Sequence, residues 1–124
     1  MILGGSQGAQ KINEVVLDAL ARLVSKYQII HQTGRKHLGL AKKRASVILE
    51  KTNLLSRYHP FEFLGETALR MSAGVADLVI TRAGATTIFE IANWGKPMII
   101  VPITKSVGNH QIENAFGAAE RGAA

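Results

Sequence analysis

Residues 77–101 read DLVITRAGATTIFEIANWGKPMIIV, and this stretch decides the fold class. Asp77-Leu78-Val79-Ile80-Thr81 is a short strand-like run, and Met98-Ile99-Ile100-Val101 is a second one, expected to be buried and closed by Pro102. Between them Thr86 to Trp94 keeps a helical pattern that Gly95 and Pro97 bring to a stop. A two-residue hairpin cannot join parallel strands, whereas a crossover helix can. Strand, helix and strand in this order therefore predict a βα unit of a parallel sheet.

The same alternation runs outward in both directions. Residues 2–4 read as the end of a first strand. Residues 9–26 place Ile12, Val15, Val16, Leu20, Leu23 and Val24 at helical spacing. Tyr27 to Gln32, around Ile29-Ile30, reads as a buried strand. Residues 38–51 form a basic helical segment with Lys42-Lys43-Arg44 expected on its solvent face. Tyr58 to Leu64 is a third strand that Pro60 assigns to an edge or a bulge. A short helix is expected over Thr67–Ser72, and a last one over Asn109–Arg121 ended by Gly122. No internal repeat, low-complexity tract or linker interrupts the series. The expectation is one domain, residues 1–124, with an open, doubly wound, Rossmann-like parallel α/β sheet.

Composition bounds the function. With 124 residues the chain supports one real core but not two. Hydrophobic residues at 47% and charged residues at 19% describe a globular chain. The absence of cysteine excludes a disulfide framework, a thiolate metal site and a cysteine nucleophile. No apolar run reaches the roughly 18 to 20 residues of a membrane span, and the first residues lack the zones of a signal peptide. The expectation is a soluble cytoplasmic domain. An aromatic content of 6% argues against a base-stacking nucleic-acid module. The chain opens on Met1-Ile2-Leu3 and closes on Gly122-Ala123-Ala124 directly after a helical pattern, which raises the expectation of a fragment.

In an open α/β sheet ligands gather beyond the carboxyl ends of the strands. Three loops expected there are chemically unusual. Gly4-Gly5-Ser6-Gln7-Gly8-Ala9 offers backbone that can approach a ligand closely, a hydroxyl, and the amides of a helix start. It matches neither G-x-G-x-x-G nor a Walker loop, and reads either as a phosphate cradle or as a tight turn. Thr81-Arg82-Ala83-Gly84-Ala85-Thr86-Thr87 is a second such helix start with a cation beside it. Glu90, one turn on, suits hydrogen bonds from vicinal ribose hydroxyls; its alternative is a capping box with Thr87. The third loop runs from Pro102 to Asn114 and carries Asn109-His110-Gln111. Its amides suit a sugar's hydroxyls, the alternative being a polar loop with Asn109 as N-cap. Together the three loops suggest a nucleotide or nucleotide-sugar pocket.

The motifs GGSQGA (4–9), TRAGATTIFEIANWGKPMIIVPI (81–103) and NHQIENA (109–115) resemble the glycosyltransferase family 28 C-terminal domain, in its peptidoglycan branch. The resemblance spans the whole chain, with the motifs in the family's order. It implies the donor-binding C-terminal domain of a GT-B glycosyltransferase. Such an enzyme transfers N-acetylglucosamine from UDP-N-acetylglucosamine to lipid I, making lipid II in peptidoglycan synthesis. Carried over by position, Ser6 would contact the phosphate region, in a loop shaped by Gly4, Gly5, Gln7 and Gly8. Arg82 would lie beside the nucleotide. The backbone of Gly84 and Ala85, with Thr87, would face the α-phosphate. Glu90 would hold the ribose, and the backbone of Leu64 would read the uracil edge. Gln111 and Asn114 would hold N-acetylglucosamine. His110 stands where the family has a second glutamine, a departure compatible with the same role.

The implied reaction is an inverting transfer. An acceptor hydroxyl attacks the anomeric carbon, and UDP leaves with its charge stabilised by fixed amides. The acceptor surface for lipid I and the general base belong to an N-terminal domain, so no catalytic residue is assigned in this chain, and neither a metal nor a cofactor is proposed. His31, His37 and His59 have no evident Asp or Ser partner and read as structural or solvated. The chain carries a net charge of +6. Arg35, Lys36, Lys42, Lys43, Arg44, Lys51 and Arg57 stand against the single acid Glu50 in their segment. That segment reads as a solvated face or as a contact with an anionic membrane surface, which would leave the enzyme peripheral to the inner face of the cell membrane. Nucleic acid is not expected as a partner. The competing class is a non-catalytic nucleotide- or nucleic-acid-binding module on the same fold.

Overall fold

The computed structural model describes residues 1–4, 9–102 and 110–124. The chain divides into two compact units, residues 2–65 and residues 66–124 with Met1. The class is α/β, as the sequence predicts, and every strand pairing within each unit is parallel.

The N-terminal unit runs β1 (Ile2–Leu3), α1 (Gln10–Asp18), α2 (Leu20–Val24), β2 (Ile29–Gln32), α3 (Leu38–Ile48), a 3₁₀ turn (Leu55–Arg57) and β3 (Tyr58–Phe61). Its strands lie in the order β3-β2-β1, with Leu3 opposite Gln32 and Gln32 opposite Phe61. Pro60 is thus on the outer strand of this unit, as expected of a residue without a backbone donor. Strand β3 is shorter than the predicted Tyr58–Leu64, although its pairing continues for two bonds: Thr33 N–H to Phe61 O (2.8 Å) and Gly34 N–H to Glu62 O (3.1 Å).

The helix expected over residues 9–26 is two helices. Ala19 leaves helical geometry (φ −96°, ψ 1°), yet Ala19 N–H still bonds Val15 O and Leu23 N–H still bonds Ala19 O. The break is a local change of ψ within a continuing ladder, with neither proline nor glycine to cause it. The buried stripe is Ile12, Asn13, Val16, Leu17, Leu20 and Val24, which corrects the predicted face in one respect. Val15 is 66% exposed, and its expected place in the core goes to Leu17 and the polar Asn13. Each fully buried aliphatic side chain on this stripe contributes roughly 1.5–3 kcal/mol.

Helix α3 seats Ala41 and Ala45 and exposes Lys42 and Lys43, as predicted. Arg44 does not share that face: it is half-buried and bonds the carboxylate of Asp18 at 3.1 Å. Arg57 turns inward as well, its guanidinium donating to Val24 O (3.0 Å) at the end of α2. A cation at a helix C-terminus satisfies an unpaired carbonyl and complements the dipole.

The C-terminal unit runs α4 (Glu66–Val75), β4 (Val79–Arg82), α5 (Ala85–Asn93), β5 (Met98–Val101) and α6 (His110–Glu120). Strands β4 and β5 pair from Val79–Met98 to Arg82–Val101. Helix α4 is longer than the predicted Thr67–Ser72, because Leu69, Ala73 and Ala76 continue one inward stripe past Gly74. Asp77 and Leu78 are exposed and precede the strand. In β5, Met98 is buried while Ile99 is 51% exposed, the alternation that a period of two imposes, so the strand is buried on one face only.

Both predicted glycine stops are observed, with one geometry. Gly95 (φ 67°) and Gly122 (φ 74°) occupy the left-handed region that glycine enters without steric cost. Gly95 N–H bonds Ala92 O while Lys96 N–H bonds Ile91 O; Gly122 N–H bonds Ala119 O while Ala123 N–H bonds Ala118 O. This paired pattern closes the last turn of α5 and of α6.

Candidate functional site

Helix α5 starts on Gly84, whose φ of −74° and ψ of 129° make it the N-cap, and no side chain caps it. The first intrahelical bond is Ile88 N–H to Gly84 O (3.0 Å). The amides of Ala85, Thr86 and Thr87 therefore have no intrahelical partner. The first turn carries no acidic residue, so the positive end of the helix dipole is not offset there. Buried Ile88 and Ile91 hold the helix down. Thr87 and Glu90, three residues apart and half-buried, share one helix face. Glu90 lies in the second turn, too far along to reach back to Gly84. The capping-box alternative for Thr87 and Glu90 is thereby overturned.

Gly84 also stands in open space: a Cβ added there would meet no heavy atom within 4 Å, and its φ is negative. The fold does not demand glycine at this position. The absence of a side chain leaves the amides of α5 open to approach.

Helix α6 comes to the same turn. Asn114 Nδ2 donates to Ala83 O at 3.0 Å, and Ala83 is fully buried at the end of β4. The bond ties the third predicted loop region to the second. It also engages the Asn114 amide nitrogen, so that Oδ1 is the acceptor this side chain has left to offer. Gln111, three residues earlier, shares the face of Asn114 and is half-buried, while His110 is exposed at the helix start. Unlike α5, α6 has an acid, Glu113, in its first turn, which suits hydroxyl groups better than phosphate. Arg82 is half-buried at the last position of β4.

In the N-terminal unit, Gly4 is buried and its N–H bonds Gln32 O at 3.3 Å. Gly5, Ser6, Gln7 and Gly8 lie outside the described residues, as does Asn109. Helix α1 beyond that loop resembles α5 at its start: its N-cap Ala9 offers no side-chain cap, and its first turn has no acid. Leu64 is buried, and its N–H donates to Gln32 Oε1 at 2.9 Å.

Two of the three histidines read as structural or solvated have side-chain partners within the fold. His31 is fully buried between Asn13 Oδ1 (2.8 Å from Nε2) and Tyr58 Oη (2.7 Å from Nδ1). Asn13 Nδ2 donates to Thr33 O at 2.9 Å, so its Oδ1 faces the imidazole and accepts from Nε2–H. Nδ1 is then the acceptor for the Tyr58 hydroxyl. Burial pushes the His31 pKa down to about 4 and the Tyr58 hydroxyl up to about 12, which keeps the ring neutral and the phenol protonated. His59 is exposed and bonds Gln28. Sequence reading missed Asn13, Gln32 and Thr33, although Asn13 sits at core spacing on α1, the one signal that could have found it. Among the described residues, no three His, Asp or Glu side chains gather as they would around a metal ion.

The whole chain, residues 1–124, matches the family model described as glycosyltransferase family 28 C-terminal domain. The chain belongs to this family. Among its family 28 relatives are proteins named UDP-N-acetylglucosamine–N-acetylmuramyl-(pentapeptide) pyrophosphoryl-undecaprenol N-acetylglucosamine transferase. That of Methylococcus capsulatus is 40% identical over 100% of this chain and 33% of its own length. That of Treponema denticola is 34% identical over 99% of this chain and 32% of its own. The crystal structure of Acinetobacter baumannii MurG superimposes with a TM-score of 0.71 at 30% identity, covering 96% of this chain and 33% of that one. The likeness places the family 28 domain in the Rossmann-like GT-B fold class expected from the sequence. The chain spans about a third of the length of the curated relatives it matches. No helix among the described residues is long and apolar enough to cross a membrane.

Proposed function

We propose that this chain is the donor-binding domain of an inverting glycosyltransferase that moves N-acetylglucosamine from UDP-N-acetylglucosamine to lipid I, forming lipid II. The observation that carries the reading is the Asn114–Ala83 bond, which brings the amide-bearing face of α6 to the uncapped start of α5. Anion-seeking amides and hydroxyl-seeking side chains then meet at one turn, as the diphosphate and the sugar of a nucleotide-sugar require. The names of the family relatives agree with this substrate class.

In this reading the amides of Gly84 and Ala85, with the Thr87 hydroxyl, take the α-phosphate, and Arg82 lies beside the nucleotide. Glu90 accepts hydrogen bonds from the ribose hydroxyls. Gln111 and the Oδ1 of Asn114 hold the sugar, with His110 next to them. In the N-terminal unit, Ser6 in its glycine loop takes the phosphate region and Leu64 the uracil edge. When the acceptor hydroxyl attacks the anomeric carbon, negative charge develops on the departing diphosphate. Amides already oriented toward it stabilise that charge without reorganising. The acceptor site and general base are assigned to a preceding domain, and the enzyme to the cytoplasmic face of the cell membrane. The exposed cations Arg35, Lys36, Lys42, Lys43 and Lys51 would face anionic headgroups there, at about 1 kcal/mol each.

Calorimetric titration with UDP and UDP-N-acetylglucosamine tests the donor reading. The wild-type chain is expected to bind both, and Glu90→Ala to lose about tenfold to a hundredfold in affinity with its melting temperature unchanged. A folded wild-type chain that ignores both ligands, or binds a short oligonucleotide instead, rejects it. Sugar transfer to lipid I by this chain alone would reject the assignment of acceptor and base elsewhere.

A further inference from the structure

The charge of this chain is unevenly spread. Residues 2–65 hold ten Lys and Arg against four Asp and Glu, and residues 66–124 hold five against five, so the whole side-chain surplus of +6 belongs to the N-terminal unit. Of those four acids, Asp18 is paired with Arg44, which ties α3 to α1. Glu50 is the single acid between Arg35 and Arg57. Helix α3 stands at the centre of this charge. Arg35 and Lys36 are exposed before it, Lys42 and Lys43 on it, and Lys51 just after it.

The outermost ridge of α3 is not purely polar. Ala41, Ala45 and Leu49 are buried and fix the inward direction. At about 100° per residue, Leu40, Lys43 and Val47 point the opposite way. Leu40 is 59% exposed and Val47 67%. They lie two turns apart, about 10 Å along the helix axis, with Lys43 between them. A solvated helix places polar groups at this pole. Here two aliphatic side chains project farthest from the core, and lysines flank them. Lysine stems lie along apolar surface while their ammonium groups reach outward to anions. The pattern fits a partner with an anionic rim and an apolar interior. Nucleic acid offers the anions but no apolar interior for Leu40 and Val47, and the ridge carries no aromatic side chain on which a base could stack.

We propose that the outward ridge of α3 docks on an anionic lipid bilayer: Leu40 and Val47 enter the boundary between headgroups and acyl chains, and Lys36, Lys42, Lys43 and Lys51 engage the headgroups. The docking face rests on the membrane placement given above, and adds to it the helix that makes the contact and the two side chains that enter the bilayer. Charge draws the unit to the surface within about a Debye length, and the aliphatic side chains supply an attraction that salt does not screen.

The test is co-sedimentation with vesicles of phosphatidylcholine alone and of phosphatidylcholine with about a third phosphatidylglycerol. Wild type is expected to bind the anionic vesicles and leave the neutral ones. Lys43→Gln should weaken binding about fivefold. Leu40→Gln combined with Val47→Gln should weaken it about tenfold. Val75→Gln, at a comparably exposed valine of the unit without net charge, should bind as wild type does. All these positions are exposed, so circular dichroism is expected to show each variant folded. The chain has no cysteine, so Val47→Cys takes a polarity-sensitive fluorophore at that one place, and its emission should shift to the blue on anionic vesicles. A double variant that binds as tightly as wild type, an equal loss in Val75→Gln, or a label that stays in water on bound protein overturns the proposal and leaves the membrane placement to charge alone. Wild type that ignores anionic vesicles, or binds a short oligonucleotide instead, overturns both. UDP titration of the same variants is expected to match wild type, which separates either failure from a failure of the donor reading.

Discussion

Nε2 of His31 lies 2.8 Å from Oδ1 of Asn13, in the interior of the N-terminal unit. The pair is the middle of a chain of hydrogen bonds: Tyr58 hydroxyl to His31 Nδ1, His31 Nε2–H to Asn13 Oδ1, Asn13 Nδ2–H to Thr33 O. It ties β3 to β2 and β2 to α1, the helix that follows the glycine loop. Each group has its partner, the condition under which a buried polar network specifies packing instead of weakening it.

The network makes stability depend on pH. His31 titrates at about 4 when folded and near 6.5 when unfolded, so between these values the unfolded chain binds more protons. Stability from this group is complete above pH 6.5, declines as pH falls toward 4, and changes no further below that. The total loss is expected to be about 3 kcal/mol. Denaturant unfolding at pH 7, 5.5 and 4 measures it. His31→Gln, which retains a donor and an acceptor but does not titrate, should remove this contribution to the slope.

Asn13→Ala should be far more damaging than its place on a surface helix suggests. It leaves the His31 N–H and the Thr33 carbonyl without the partner that each now has, both inside the core. A cost of about 3 kcal/mol is expected from two buried groups so deprived. Val15→Ala, two residues away but exposed, should change stability by no more than about 0.5 kcal/mol. Melting or denaturant midpoints of the two variants give the comparison.

Gly84→Ser should move stability and ligand affinity in opposite directions. Serine is a better N-cap than glycine, the backbone there has negative φ, and a Cβ meets nothing, so stability should rise by about 0.3 kcal/mol. The new hydroxyl would occupy the amides proposed for the α-phosphate, and UDP affinity should fall about tenfold. A thermal melt and a UDP titration on one preparation check both signs. A rise in stability with unchanged affinity would remove Gly84 from the site.

Much of this was readable beforehand, for local reasons. The strands at Val79 and Met98, the helix between them, the stops at Gly95 and Gly122 and the outer strand carrying Pro60 each follow from side-chain period or backbone restriction within a few residues. Val15 misled because two helix faces carry aliphatic residues, and only packing chooses between them. Asn13 was overlooked because a polar residue on an apolar stripe scores against burial until its partners are known. Arg44 and Arg57 read as part of a uniform basic surface, yet one meets Asp18 and the other the end of α2.

The sequence by itself determined the α/β alternation and the glycine stops, because periodicity and backbone preference act over a few residues, whereas the uncapped helix start at Gly84 emerged only with the structure. Tertiary structure alone decided which polar groups meet. Asn13 and His31 are 18 residues apart, Ala83 and Asn114 are 31, and Gln32 and Leu64 are 32. No local pattern encodes those separations. Folding brings the groups out of water together, and a buried donor or acceptor then takes whichever partner the packing has placed within about 3 Å.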